Sequence, residues 1–389
     1  LHRRLLVLAL LAGILWLVLP QRAAFAAPPP PPDAFVIVVQ TDNTGSSANN
    51  QFTIQTVGPW TYDYNVDCKS GTGIDATHVT GNYTCTYPSP GTYTIVITDG
   101  SGTGDGFPTY YMNNTGDRLK LIGIQQWGTM EWQSMTRAFY GAENMQLYAS
   151  DAPDLMYAEH LTDMFRDCST LNADLDDWDV SPITSFFAMF WGAENFNGDI
   201  SSWDVSNATN FNGMFADAES FNQDISAWDT SSATNMLQMF AGAESFNQDI
   251  SGWDTGEVTT MDYMFAGATS FDQNLASWDI SKLEEAIYMF SGVKLSTKYY
   301  DALLYSWDNQ QIKTGVTFDG GDSNYCESTI SRSDLISHFG WTITDGGLDC
   351  TELVEGDFMI TVQTDNPGDS TDTQFTIPTS GTGYDYKVD

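Results

Sequence analysis

Apolar and polar positions recur along this chain with a period of 25 residues. Residues 246–254 read Phe-Asn-Gln-Asp-Ile-Ser-Gly-Trp-Asp, with close copies at 221–229 and 196–204 and looser copies at 171–179 and 271–279. A fixed period of about 20–50 residues is typical of stacked repeats, in which each unit buries its apolar side against its neighbours. The pattern therefore predicts a repeat architecture.

Two aromatic anchors keep this register and are predicted to form the core of the repeats. One is the tryptophan of each Trp-Asp pair, and the other is the phenylalanine of each Met-Phe pair. The predicted core residues are Trp178, Trp203, Trp228, Trp253 and Trp278, together with Phe190, Phe215, Phe240, Phe265 and Phe290.

The Met-Phe part of each repeat has the spacing of a short helix. Met236, Met239, Phe240 and Ala243 lie at i, i+3, i+4 and i+7, on one face of a helix. Residues 246–253 are too few and too rich in Asn, Asp and Ser for a second helix, so they are predicted to form a short strand and a turn. The predicted fold class is a repeat solenoid of leucine-rich-repeat type, with one short strand and one short helix in each 25-residue coil.

The repeat also carries a family resemblance. Over about residues 120–293 the pattern is Met-Phe-x-Gly-Ala-x-x-Phe-Asn-Gln-Asp-Ile-Ser-x-Trp-Asp-x-Ser-x-x-Thr-x-Met. It resembles the repeat of bacterial BspA-like leucine-rich-repeat surface proteins. The resemblance implies a secreted or surface-attached protein used for adhesion or interaction, and it brings no catalytic residue with it.

The chain before the repeats divides into three parts. Residues 1–26 are predicted to be a signal peptide, because two arginines precede an apolar run that ends in Ala-Phe-Ala, with an uncleaved signal anchor as the alternative. Residues 27–32 form a Pro-rich spacer. Residues 33–117 contain strand-like runs separated by Gly, Asn and Pro. Residues 86–95 resemble the end of a polycystic-kidney-disease-type (PKD) domain, which implies an all-β immunoglobulin/PKD-like sandwich before the solenoid.

The repeats and the chain after them complete the predicted organisation. Residues 118–293 are assigned to the solenoid and residues 294–350 to its C-terminal cap. Residues 358–366 repeat residues 35–43, so 351–389 is predicted to be the truncated start of a second PKD-like module.

Charge narrows the classes of partner. The formal net charge is −37 at pH 7, which repels nucleic acid and anionic lipid. The expected partner is a protein or glycan on another cell, host or matrix, with no direct membrane insertion after signal cleavage. The expected location is extracellular, either secreted or attached to a cell surface.

Few residues point to catalysis. His78, His160 and His338 lie in three different segments, and the chain has no His-x-x-x-His, Gly-x-Ser-x-Gly or Gly-Lys-Ser motif. We therefore expect a non-enzymatic protein without a cofactor that mediates adhesion or macromolecular binding through the solenoid face. The alternatives are a structural spacer and an extracellular hydrolase with an unrecognised site. The expected ligand-binding residues are Gln223, Ser226, Gln248, Ser251 and Gln273.

Two columns of aspartates recur with the repeats. Asp199, Asp224 and Asp249 form one column, and a second follows each tryptophan. Each Asp could accept a bond from its own backbone in an Asx turn, or paired oxygens could hold calcium between adjacent coils. The turn is favoured for the column after tryptophan, and both readings stay open for the other.

Five cysteines remain to be assigned in a chain whose predicted export permits disulfides. Cys68 and Cys85 flank a predicted hairpin, and Cys326 and Cys350 bracket the cap, so each pair is predicted to form a disulfide. Cys168 aligns with alanines of later repeats and is predicted to be a free, buried thiol.

Overall fold

The computed structural model describes residues 29–69, 71 and 73–351. The predicted signal peptide, residues 27–28 of the spacer and residues 352–389 lie outside this range, so those assignments stay predictions. Within the described residues, no helix combines the length and apolar character needed to cross a lipid bilayer.

The N-terminal part of the described chain is built from strands. They are β1 (Phe35–Gln40), β2 (Gln51–Ile54), β3 (Tyr64–Asp67), β4 (Ala76–Val79), β5 (Tyr83–Thr86), β6 (Thr92–Asp99), β7 (Leu121–Gln126) and β8 (Gln146–Leu147). Four predicted strand runs coincide with β1, β2, β3 and β6. One sheet has the order β4-β3-β6-β1-β7-β8, and β2 pairs with β5 separately.

The larger sheet crosses from the N-terminal part into the repeats. Strand β1 pairs antiparallel with β6 on one side and with β7 on the other. The ring of Phe35 lies 5.7 Å from that of Trp127 and 5.0 Å from that of Trp132. The sequence predicts an immunoglobulin/PKD-like sandwich that is separate from the repeats. This is not the observed architecture, because the sheet and the hydrophobic core both continue past residue 118.

The predicted solenoid of leucine-rich-repeat type, with a strand and a short helix in each coil, is wrong. Residues 121–293 contain no α-helix, and the 3-10 helix Arg118–Lys120 precedes them. The α-helices of the described chain, α1 (Thr297–Asp308) and α2 (Thr329–Ser337), both follow the repeats. Most of each repeat consists of turns, and we refer to residues 118–293 as the repeat array.

Backbone geometry explains why the helix does not form. Gln238 and Gly242, inside the predicted helix, have positive φ angles of 56° and 71°, and left-handed residues interrupt a right-handed helix. The N–H groups of Met239 and Ala243 donate to carbonyls three residues earlier, at 3.2 and 3.1 Å. Successive turns therefore place residues i, i+3, i+4 and i+7 on one side of the backbone, as a helix would.

The remaining turn N–H groups join neighbouring repeats. The N–H of Gln238 donates to the carbonyl of Asp262 at 2.9 Å, and that of Phe240 to Met264 at 2.8 Å. One parallel bridge also links each repeat to the next. The bridges join His160 to Ser185, Ser185 to Asn210, Asn210 to Asn235, Asn235 to Thr260 and Thr260 to Glu285.

The predicted aromatic anchors lie in the core and stack in register. All ten are buried. The ring of Phe215 is 5.7 Å from those of Phe190 and Phe240, at interplanar angles of 3° and 8°. Trp228 and Trp253 stack at 6.3 Å. The indole N–H of Trp228 donates to the carbonyl of Ile200 in the preceding repeat at 3.1 Å, and the same bond recurs at the neighbouring tryptophans.

A small α/β segment covers the C-terminal end of the repeat array. It contains α1, α2 and the short strands β9 (Thr317–Asp319), β10 (Asn324–Tyr325), β11 (Thr342–Thr344) and β12 (Gly347–Leu348). β9 pairs with β11 and β10 with β12, both in parallel. Phe318 lies 6.2 Å from Phe290, the last phenylalanine of the ladder, and so shields its apolar end from water.

Removing one ladder tryptophan should destabilise the whole fold. We expect Trp228→Ala to lower the free energy of unfolding by about 3–5 kcal/mol, because it opens a cavity between two packed neighbours. Ser226→Ala, two residues away on the exposed side, should lower it by less than about 1 kcal/mol. Chemical denaturation measures both values, and equal losses would contradict the inward position of Trp228.

The cysteine pairing is confirmed in the structure and can be checked in solution. Cys68 is bonded to Cys85 and Cys326 to Cys350, while Cys168 is free and buried, and burial raises the pKa of its thiol. Without reductant, alkylation should label no cysteine in the native protein and one after denaturation. Three labelled thiols in the denatured protein would contradict this pairing.

Candidate functional site

The three predicted ligand-binding glutamines hold adjacent repeats together. The side-chain amide of Gln223 donates to the carbonyl of Asn197 at 2.7 Å. Gln248 and Gln273 repeat this bond one and two repeats later, each at 2.9 Å. All three are half-buried. Their donors are therefore engaged inside the array, and their predicted role in ligand contact stays a prediction.

An asparagine ladder, which the sequence analysis missed, runs beside these glutamines. The N–H of Asn222 donates to the side-chain oxygen of Asn197 at 2.8 Å, and Asn247 donates to that of Asn222 at 2.9 Å. The ladder ends at Asp272, whose carboxylate accepts the N–H of Ser296 at 2.7 Å. In the sequence, the ladder corresponds to an asparagine that directly follows a phenylalanine every 25 residues, at Asn197, Asn222 and Asn247.

The first aspartate column forms Asx turns. The carboxylates of Asp199, Asp224 and Asp249 each accept the N–H of the serine two residues later, at 2.9–3.0 Å. Hydrogen bonds from these serines hold the pKa of each carboxyl below its usual value. Ser226 and Ser251, predicted as ligand contacts, are therefore the turn donors for two of them.

The column after the tryptophans behaves in the same way. Asp204 accepts the N–H and the hydroxyl of Ser206, at 3.1 and 2.6 Å, and Asp229 accepts the N–H of Ser231 at 3.0 Å. In the part of the chain that the structure describes, no group of three or more His, Cys, Asp or Glu side chains is placed to hold a metal ion.

The consecutive turns of each repeat present a different outer surface, which we call the turn face. It consists of three positions per repeat. They are Phe187, Asn212, Leu237, Asp262 and Ile287; Ala188, Gly213, Gln238, Tyr263 and Tyr288; and Trp191, Ala216, Ala241, Ala266 and Ser291. The first two positions differ in chemistry from repeat to repeat, whereas the third is alanine in three repeats and the inward Met-Phe pair does not change. Ala188, Gly213 and Ala216 are buried, and the other turn-face residues are half-buried or exposed.

Large apolar side chains lie exposed at the C-terminal end of the turn face. Tyr263 and Tyr288 are 40% and 49% exposed, and their rings lie 5.0 Å apart. Ile287 beside them is 37% exposed. The apolar spacing does not reveal this cluster, because its residues lie outside the i, i+3, i+4 and i+7 positions of each repeat.

An acidic cleft of about 510 Å³ lies at the other end of the turn face. Trp191 forms one wall, and its indole N–H donates to Asp217 at 3.0 Å. The Arg166 guanidinium lies 4.6 Å from the Trp191 ring. Burial raises the pKa of Asp167 in the lining. The lining residues are Asn114, Arg118, Glu143, Asp167, Ser169, Trp191, Gly192, Glu194, Asp217 and Glu219.

The structure does not bring the three histidines together. His78 lies 2.8 Å from Asp63 on the N-terminal sheet. His160 belongs to the row of bridges, and the ring of His338 lies 4.8 Å from that of Phe339 in the C-terminal segment.

Comparison with known proteins identifies the repeat array. Residues 110–227, 159–253 and 221–320 each match the model of the family described as Mycoplasma protein of unknown function, DUF285. Together these matches span residues 110–320, more than half of the 389-residue chain. No curated protein and no solved structure matches the chain.

The role of the glutamines can be tested with an isosteric substitution. Gln248→Glu replaces the donor with a carboxylate that faces the carbonyl and side-chain oxygens of Asn222. We expect the free energy of unfolding to fall by about 1–3 kcal/mol, because two acceptors would then face an anion. Ser251→Ala is the control on the same surface. A change within about 0.5 kcal/mol for Gln248→Glu, as at an ordinary surface position, would contradict the proposed contact.

The depressed pKa values of the aspartates predict an acid-sensitive contribution to stability. Such a group stabilises the fold above its unfolded pKa, near 3.8 here, and this contribution is lost as pH falls through the lower folded value. The unfolding free energy of wild type minus that of Asp224→Asn/Asp249→Asn should therefore be positive at about pH 6 and shrink below pH 3.8.

Glu194→Gln/Glu219→Gln removes the same net charge and serves as the control for that titration. Urea denaturation at each pH gives the comparison. A difference between wild type and the aspartate variant that does not change with pH would contradict this role of the Asx turns.

Proposed function

The chain belongs to the family described as Mycoplasma protein of unknown function, DUF285. We propose that it is a non-enzymatic extracellular repeat protein that binds another macromolecule through the outer surface of its repeat array. This is the function of an adhesin or an interaction module. It agrees with the role that the resemblance to BspA-like surface proteins implies.

One observation carries the proposal, namely that the repeats are constant inside and varied outside. Met239 and Phe240 have the same residues at the equivalent positions of the four neighbouring repeats, and all of these are buried. The turn-face position two residues before Met239 is instead Phe187, Asn212, Leu237, Asp262 and Ile287 in successive repeats. A constant frame that displays changing side chains over an extended surface suits recognition of a large partner.

Extracellular placement is supported by two features. The described chain has two disulfides, Cys68–Cys85 and Cys326–Cys350, which persist in oxidising compartments. The predicted signal peptide at residues 1–26 points the same way. Attachment to a cell surface is part of the proposal and follows from the resemblance to BspA-like proteins.

The charge of the chain favours a basic protein partner over nucleic acid or anionic lipid, and it favours an uncharged glycan over an acidic one. With a formal net charge of −37, the protein attracts cationic surfaces over a distance that salt shortens. Complementary charge of this kind raises association rates and specificity.

A binding screen with the whole chain tests this function. Arrays of extracellular-matrix proteins, cell-surface proteins and glycans should give at least one partner. Its affinity should fall as salt rises from about 0.05 M to about 0.5 M, because screening weakens the attraction between opposite charges. Retention of binding by a Trp228→Ala variant that circular dichroism shows to be unfolded would contradict the proposal. Failure of the folded chain to bind any arrayed partner would favour the spacer alternative.

A further inference from the structure

We propose that the turn face is the docking surface for a basic protein segment that carries apolar side chains between its lysines or arginines. The inference deepens the proposed binding function and rests on it, since it assigns that function to one surface and one chemistry. Four observations support it: exposed aromatic side chains, their backbone conformation, their fixed position and the charge around them.

The exposed cluster of Tyr263, Ile287 and Tyr288 is the apolar part of this surface. The two tyrosine rings contact each other, and the backbone N–H of Ile287 donates to the carboxylate of Asp262 at 2.6 Å. Leu237, half-buried, occupies the equivalent position one repeat before Asp262. Contiguous apolar side chains of this kind, bordered by polar groups, mark sites of protein interaction.

The backbone conformation of the two tyrosines is unfavourable for bulky residues. Tyr263 and Tyr288 have φ angles of 55° and 56°, in the left-handed region. The equivalent residue two repeats before Tyr263 is Gly213, which adopts a φ of 62° without steric penalty. The equivalent residues Ala188 and Gln238 also have positive φ angles, 53° and 56°, so the left-handed turn is a property of the repeat. The large side chains are what set Tyr263 and Tyr288 apart. The turn forms without a large side chain at Ala188 and Gly213, so the tyrosine rings, 40% and 49% exposed, are not needed to form it.

The tyrosines are also held in place before any partner arrives. The N–H of Tyr263 donates to the carbonyl of Ile287 at 2.8 Å, and that of Gly213 donates to Leu237 at 2.8 Å. The backbone beneath the turn face is therefore fixed by bonds between repeats. Aromatic residues on a rigid frame lose little conformational freedom on binding, which favours affinity.

The acidic side chains around the turn face favour a basic segment as its binding partner. Glu219 and Glu244 lie three residues after turn-face positions on one side, and Glu285 precedes Tyr288 on the other; all three are exposed. The array itself shows how a cation fits this surface. Arg166, at the position equivalent to Trp191, places its guanidinium 4.6 Å from the Trp191 ring and 5.3 Å from the Tyr140 ring. Arginine and lysine bind the faces of tyrosine and tryptophan in this way.

Three synthetic peptides and one double variant test the proposal. The peptides alternate lysine with leucine, lysine with serine, and glutamate with leucine. The first should bind the whole chain, and the other two should bind at least about tenfold more weakly. Tyr263→Gly/Tyr288→Gly should weaken binding of the first peptide by about tenfold or more, while thermal stability is kept or raised. Ala227→Ser/Gly252→Ser, at exposed positions outside the turn face that are serine in the equivalent places 202 and 277, should bind like wild type.

The outcomes separate this inference from the function on which it rests. If a macromolecular partner binds wild type and Tyr263→Gly/Tyr288→Gly equally, binding lies elsewhere on the array and the inference fails alone. If no partner binds the folded wild type, both fail. Equal binding of the two lysine peptides would show that charge alone holds the peptide, and it would overturn the proposed apolar contact with the turn face. Capture of a glycan through the tyrosines, or self-association of wild type that the double variant abolishes, would also overturn the assignment of a basic protein segment.

Discussion

The hydrogen bond from the indole of four ladder tryptophans to the backbone of the preceding repeat is the interaction on which this structure depends most. The bonds from Trp203, Trp228, Trp253 and Trp278 measure 2.7, 3.1, 3.0 and 3.0 Å, and each lies inside the core. A buried donor without a partner is costly, so the bond forms only when adjacent repeats are in one register. The stacked rings fix the separation between repeats. Together they determine where every outward side chain lies.

The interior of the array could be predicted well from the sequence, because the side chains that pack in the core recur with the 25-residue period. The 25-residue period, the ten aromatic anchors and the pairs Cys68–Cys85 and Cys326–Cys350 are all observed in the structure. The predicted helix failed because spacing of i, i+3, i+4 and i+7 also arises from successive turns. Gly213, Gly242 and Gly267 carried the missing signal. It was obscured because Gln238 and Tyr263 occupy the left-handed position of Gly213, and Asp217 occupies that of Gly242 and Gly267.

The binding surface was harder to predict, because a polar residue that recurs in each repeat can serve the fold instead of a ligand. Gln223 and Gln248 were expected outside, and they lie near the surface, but their amides reach back to the preceding repeat. A polar residue that recurs in every repeat is evidence of a recurring structural bond as much as of a binding surface. The tyrosines of the exposed cluster occur in only two repeats, at Tyr263 and Tyr288, so a search for residues shared by every repeat passes over them. In an array of this kind, the residues that break the pattern outside the core are the informative ones for binding.

Hydrogen exchange of the indole N–H groups, followed by NMR, tests the central account most directly. We expect slow exchange for Trp203, Trp228, Trp253 and Trp278, at a rate set by opening of the array. Trp60, which is 37% exposed, serves as the internal reference for rapid exchange. Exchange of the four ladder indoles as fast as that of Trp60 would show that the bonds between repeats do not hold the array in register.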